Sequence, residues 1–201
     1  MTNESPPRPT EVRQLLTPAA FALADLAAVF EHLQTVLRSC ERLMATLASS
    51  PGNEPDDLAL EAYWMTAVLS YQRCFTAGER GPVLTPDDVT ATGLPGDVLG
   101  WHRTLGQVQA RYVDLAASPR ETFSVGVVRD DEGKATGVAV TSARHAMVDE
   151  VTVRQTGAVA FELSRMVDAR IAELQQKVFA GAGALTSAEL DGLPLLDVAD
   201  A

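Results

Sequence analysis

Side chains able to act as acids, bases or nucleophiles are few and scattered in this 201-residue chain. The histidines are His32, His102 and His145, and the cysteines are Cys40 and Cys74. They show no metal-ligand spacing and no CxxC, so neither a metal nor another cofactor is expected. Both cysteines fall inside helical patterns, as reduced core thiols do. Asp130, Asp131 and Glu132 could attract a cation, but without a calcium-loop pattern they read as a solvated turn. There is neither a phosphate-binding loop nor a Gly-x-Ser-x-Gly elbow. Ser164, Arg165 and Arg170 read as the wet side of a helix. Two stretches remain. One is Tyr71-Gln72-Arg73-Cys74-Phe75-Thr76-Ala77-Gly78-Glu79-Arg80; the other is Arg111-Tyr112-Val113-Asp114-Leu115-Ala116-Ala117-Ser118-Pro119-Arg120-Glu121.

Together these stretches resemble a family of small helical bacterial proteins in the wider HEPN group. Its members read roughly Tyr-x-Arg-Cys-Phe-x-x-Gly-x-Arg, then Arg-Asp-Lys-x-x-Ala-His with a Glu shortly after. The resemblance implies a helical bundle that dimerises, with a role near toxin–antitoxin, antiphage or phage–host systems. It also implies a ribonuclease chemistry in which an arginine offsets phosphate charge and a nearby histidine transfers a proton. After Arg111 the matching positions are Ala116, Ala117 and Ser118, with Ala117 where the family places its histidine. None can transfer a proton near neutral pH, so this catalysis is not expected. Tyr112 and Val113 also depart from the charged residues of the pattern.

What remains of the pattern is Tyr71, Arg73, Arg80, His102, Arg111 and Glu121. These residues could frame a polar pocket for an anion between the second and fourth helices and the chain before a hairpin. The favoured alternative is a buried network in which Arg73 or Arg111 pairs with Glu121 and holds the hairpin to the bundle. His102 and Arg111 are nine residues apart, which at ~100° per residue puts them on opposite helix faces.

Periodicity supplies the elements that must position these residues. Thr17-Pro18 opens a long helix whose seam reads Leu23, Leu26, Phe30, Leu33, Leu37, Cys40, Met44 and Leu47. Such a seam can close within one subunit or across a dimer. A second helix has an apolar face of Leu58, Ala62, Met65 and Leu69, with Trp64, Val68, Tyr71 and Phe75 beside it. Thr85-Pro86 caps a short turn of helix, and Val98, Trp101, Leu105, Val108 and Tyr112 mark another helix. The period then changes to two. Phe123, Val125 and Val127 alternate, as do Val138 and Val140, which predicts a β-hairpin at about 122–144. A last long helix follows, with the stripe Ala160, Leu163, Val167, Ile171, Leu174 and Val178.

The expected fold is mainly α, a four-to-five-helix bundle with an inserted β-hairpin before the last long helix. The expected organisation is a loose arm over 1–16, one helical domain over 17–180 and an acidic tail over 181–201. In that tail Leu190, Leu193, Leu195 and Leu196 lie among acids, as in a short segment that docks on a partner.

The net charge of −11 and pI near 4.6 argue against nucleic-acid binding. Asp25 and Glu31 break the most apolar stretch, so no membrane span is expected, and the N-terminus does not read as a secretory signal. A cytoplasmic, non-catalytic helical interaction protein follows, forming a homodimer or binding another protein. The alternative is a divergent RNA-processing enzyme or anion sensor built on the arginines.

Overall fold

Thr17 and Pro18 start the first helix as their types require. Thr17 Oγ1 accepts from Ala20 N at 3.2 Å, and Pro18 occupies the first helical position, where no N–H is needed. This computed structural model describes residues 11–48, 57–78, 83–114, 120–145 and 148–196. Their order is α1 (Pro18–Leu47), α2 (Asp57–Arg73), α3 (Pro86–Ala91), α4 (Val98–Val113), β1 (Glu121–Arg129), β2 (Ala135–Arg144), α5 (Glu150–Gly183) and α6 (Ser187–Asp191). The fold is mainly α, with a two-stranded antiparallel hairpin before the last long helix.

The chain divides into two compact units, one of Val29–Met166 and one of Met1–Ala28 with Val167–Ala201. In the larger unit, α1 contributes Val29, Leu33, Val36, Cys40 and Leu43 to the core. With Leu26 these step by three and four, a heptad line shifted from the expected one. Leu26, Leu33 and Cys40 belong to both lines, whereas Phe30, Leu37 and Met44 are half-buried. α1 is apolar on more than one side, so period alone could not choose between two adjacent stripes.

α2 shows a similar displacement. Its buried face is Leu60, Trp64, Ala67, Val68 and Tyr71, continued by Cys74, while Leu58, Ala62 and Met65 are exposed. α5 adds Val153, Thr156, Val159, Ala160 and Leu163. It approaches α1 closely at Gly157, where a Cβ would lie 3.7 Å from the Cβ of Cys40, and Gln34 Nε2 donates to Ser164 Oγ at 3.0 Å. The α1 line thus closes on helices of its own chain within this unit.

By length and mean hydropathy, 1.3 over its most apolar window, α1 would suffice to span a bilayer, and the interruptions at Asp25 and Glu31 do not prevent this. The packing of Leu33, Val36 and Leu43 in the core gives the same composition another use.

Carboxylates begin α3, α4 and α5. Asp88 Oδ2 accepts from Thr85 N at 2.7 Å ahead of α3, Asp97 Oδ1 from Gly100 N at 2.8 Å at α4, and Asp149 Oδ1 from Thr152 N at 2.8 Å at α5. In the hairpin Val125 faces Val140 and Val127 faces Val138, and the register shifts between Val128 and Arg129. Asp130 is the turn residue expected: its Oδ1 accepts from Lys134 N at 2.8 Å, and Gly133 takes φ 85°.

In the smaller unit the end of the chain is tied to its beginning. Gln14 N donates to Pro194 O and Leu196 N to Val12 O, both at 2.8 Å, around an Arg13–Leu195 bridge. The Arg13 guanidinium donates to Asp191 O at 2.9 Å and Leu193 O at 2.8 Å. Residues 12–14 are therefore not a loose arm. The backbone around Leu193, Leu195 and Leu196 is paired within the chain, and Arg13 satisfies carbonyls that α6 leaves open. Leu190 is half-buried on α6, and the Leu195 and Leu196 side chains stay exposed.

Candidate functional site

α2 and α4 pack antiparallel and carry two separate groups of polar side chains. At one end the phenol of Tyr71, fully buried, meets Nδ1 of His102 at 3.1 Å. Phe75 closes the group, its ring centroid 5.1 Å from Tyr71 and 4.5 Å from His102. Burial, aided by Arg103, lowers the imidazole pKa; burial, aided by Cys74, raises that of the phenol. Both rings are therefore neutral at pH 7, and the phenol O–H can donate to an unprotonated Nδ1. The group is an aromatic clasp between two helices.

The cysteines are equally withdrawn. Burial pushes Cys40 up to about 11 and Cys74 up to about 12, and Cys74 Sγ lies 3.3 Å from Ser70 O, so neither is a nucleophile at neutral pH. Among the described residues no three His, Cys, Asp or Glu side chains gather to hold a metal ion.

At the other end of the α2–α4 pair, where the hairpin leaves the helices, lies a cavity of about 390 Å³. Its apolar lining includes Leu60, Trp64, Val108 and Val148. Its polar lining comes from three directions. α2 supplies Asp57 and Glu61, α4 supplies Arg111 and Tyr112, and the hairpin base supplies Arg120, Glu121, Arg144 and His145.

Most of these charges are matched. Arg120 pairs with Glu61, while Arg144 reaches Asp57 at 3.3 Å and Glu121 at 3.6 Å. His145 N donates to Arg120 O at 2.8 Å and extends the strand pairing. Arg111 forms no ion pair with any described residue. Burial and the nearby Glu61 raise the Tyr112 phenol pKa against the opposing effect of Arg120, so it remains a protonated donor.

Of the six residues singled out from the sequence, the five that are described do not converge. Tyr71 and His102 form the clasp, whereas Arg111 and Glu121 line the cavity. Nine residues separate His102 from Arg111, about 13.5 Å along α4. Arg73 is exposed in the last turn of α2. Arg80 and Ala116–Ser118 lie outside the described residues.

The expected tie between hairpin and helices exists, but with other arginines. Arg120 and Arg144 make it, not Arg73 or Arg111, because the hairpin register puts Arg144 directly opposite Glu121. Asp57, Glu61, Trp64, Tyr112 and His145 went unrecognised as cavity residues. Counting outward from the turn would have set Glu121 opposite Ala143; the register shift between Val128 and Arg129 moves its partner to Arg144.

Comparison with family models, curated proteins and solved structures finds no match. Fold and site together define a class: a helical-bundle protein with an exposed hairpin clamped at its root by ion pairs.

Proposed function

We propose that this protein is a non-catalytic helical interaction module that binds a second copy of itself through the hairpin. The apolar face of the ribbon carries this reading. Phe123, Val125, Val127, Val138 and Val140 are 62%, 73%, 63%, 71% and 69% exposed. The register sets all five on one face, with Thr122, Ser124, Gly126 and Thr141 on the other. Two-stranded ribbons are marginal in water, and a contiguous apolar patch on one marks a contact surface.

The face holds no charge between Glu121 at its base and Arg129 at its tip, so nothing on it selects a partner of different chemistry. Homodimer interfaces are the more apolar kind, and a two-fold contact needs one self-complementary patch. Five such side chains leave on the order of 400–500 Å² per copy to cover, which puts a face-to-face pair near the ~1,000 Å² of a specific interface. The HEPN-like assignment rests on the two motifs alone.

Light scattering on wild type and on Val125→Glu and Val140→Lys tests the proposal. A wild-type dimer that either substitution converts to a folded monomer supports it. A monomer at ~100 μM, or dimers that survive both substitutions, would sink it.

One observation favours a second reading, a divergent RNA-processing site: His145 and Arg111 line the same cavity. A histidine from the hairpin would then serve where Ala117 cannot. RNA cleavage lost in both His145→Ala and Arg111→Ala is the result it requires. The three carboxylates around that cavity, in a chain of charge −11, weigh against a polyanion.

A further inference from the structure

We propose that the cavity at the hairpin root binds a small organic monocarboxylate, its carboxylate held by Arg111 and its apolar or aromatic body seated against Trp64, Leu60 and Val108. Charge matching leads to the first half of this proposal. The lining carries Arg111, Arg120 and Arg144 against Asp57, Glu61 and Glu121. Arg120 is taken by Glu61, and Arg144 by Asp57 and Glu121, so Arg111 is the lining guanidinium without an ion pair among the described residues. A guanidinium presents a planar fork of donors that fits a carboxylate with two parallel hydrogen bonds. The Tyr112 phenol lines the same cavity and offers a further O–H donor.

Size and lining lead to the second half. A cavity of about 390 Å³ lies within the ~300–1,000 Å³ range of small-molecule sites. Trp64 and Leu60 are buried core residues whose remaining surface meets this space, and Val108 and Val148 continue the apolar lining. An apolar surface with one unmatched cation suits an amphipathic anion better than a hydrated inorganic one.

The carboxylates limit the ligand charge. Asp57, Glu61 and Glu121 repel a second negative charge, so a phosphate dianion or nucleic-acid backbone is disfavoured where a single carboxylate is accepted. Glu121 and Arg144 stand at the base of the apolar ribbon face, but none of its five apolar side chains lines the cavity, so binding there does not depend on self-association.

Calorimetric titration of the full chain with benzoate, 4-methylpentanoate and indole-3-acetate tests the assignment, with benzamide and inorganic phosphate as controls. At least one carboxylate should bind with a Kd below ~1 mM, and benzamide, which keeps the shape but not the charge, should not. Arg111→Met should weaken binding on the order of tenfold to a hundredfold, and Arg111→Lys less, with the circular-dichroism spectrum unchanged in both. Arg111 is exposed and holds no ion pair with a described residue, so its loss leaves the core intact. Absence of binding by all three carboxylates would overturn the proposal. So would equal binding to Arg111→Met, or binding of phosphate in preference to the carboxylates.

Discussion

The phenol oxygen of Tyr71 and Nδ1 of His102 lie 3.1 Å apart, joining α2 to α4 across 31 residues of sequence. Phe75 packs edge-on against the imidazole, and burial favours its neutral form. In the unfolded chain this imidazole titrates near its ordinary value of 6.5, and in the folded chain lower. The unfolded state therefore binds more protons between the two values, and stability rises with pH there. The His102 contribution is complete above about 6.5 and is lost as pH falls toward the folded pKa. His102→Phe should flatten the fall in urea-unfolding free energy between about pH 7 and pH 5. A slope as steep as wild type would contradict this account of the clasp.

Both thiols should be silent in the native protein. Cys40 and Cys74 are buried with raised pKa values, so a disulfide reagent at pH 8 should label neither on a timescale of minutes and both in 6 M guanidinium. Rapid native labelling of either one would mean that the α1 core line opens at that point.

Two helical glycines should accept a methyl group. A Cβ on Gly157 would meet Cys40 at 3.7 Å, and one on Gly106 would meet Gln72 at 3.7 Å, ordinary contact distances. Alanine has the higher helix propensity, so Gly157→Ala and Gly106→Ala should each raise stability by about 0.5–1 kcal/mol in thermal or urea unfolding. Destabilisation by Gly157→Ala would show that α1 and α5 pack more tightly there than these distances imply.

The two ion pairs at the hairpin root should differ in worth. Arg144 and Asp57 are well exposed, at 76% and 63%, whereas the Glu61 side chain is only 15% exposed. Arg144→Ala should therefore cost no more than about 0.5–1 kcal/mol. Arg120→Ala leaves a buried Glu61 oxygen without its cation and should cost about 1–3 kcal/mol. Equal costs in urea unfolding would argue that Glu61 finds solvent once Arg120 is gone.

Much of the fold was legible because its signals are local. Thr17-Pro18 and Thr85-Pro86 placed helix starts by chemistry confined to one turn, and the change from a period of three and four to a period of two placed the hairpin. The choice of stripe was not legible. α1 and α2 each have apolar residues on adjacent lines, and whether Val29 and Val36 or Phe30 and Leu37 lie inside depends on which helix packs opposite.

The site divides in the same way. Sequence alone determined that Ala117 cannot transfer a proton, since a side chain without a titratable group cannot do so wherever it sits. It also determined that His102 and Arg111 could not share a helix face, because helical angle is a matter of counting. Only tertiary structure could decide that Arg120 and Arg144, rather than Arg73 or Arg111, neutralise the carboxylates. Only tertiary structure, too, leaves Arg111 without an ion pair among the described residues, in a cavity that Trp64 also lines. Ion pairing depends on distances of a few ångströms between residues dozens of positions apart, and those distances are set by strand register and helix packing.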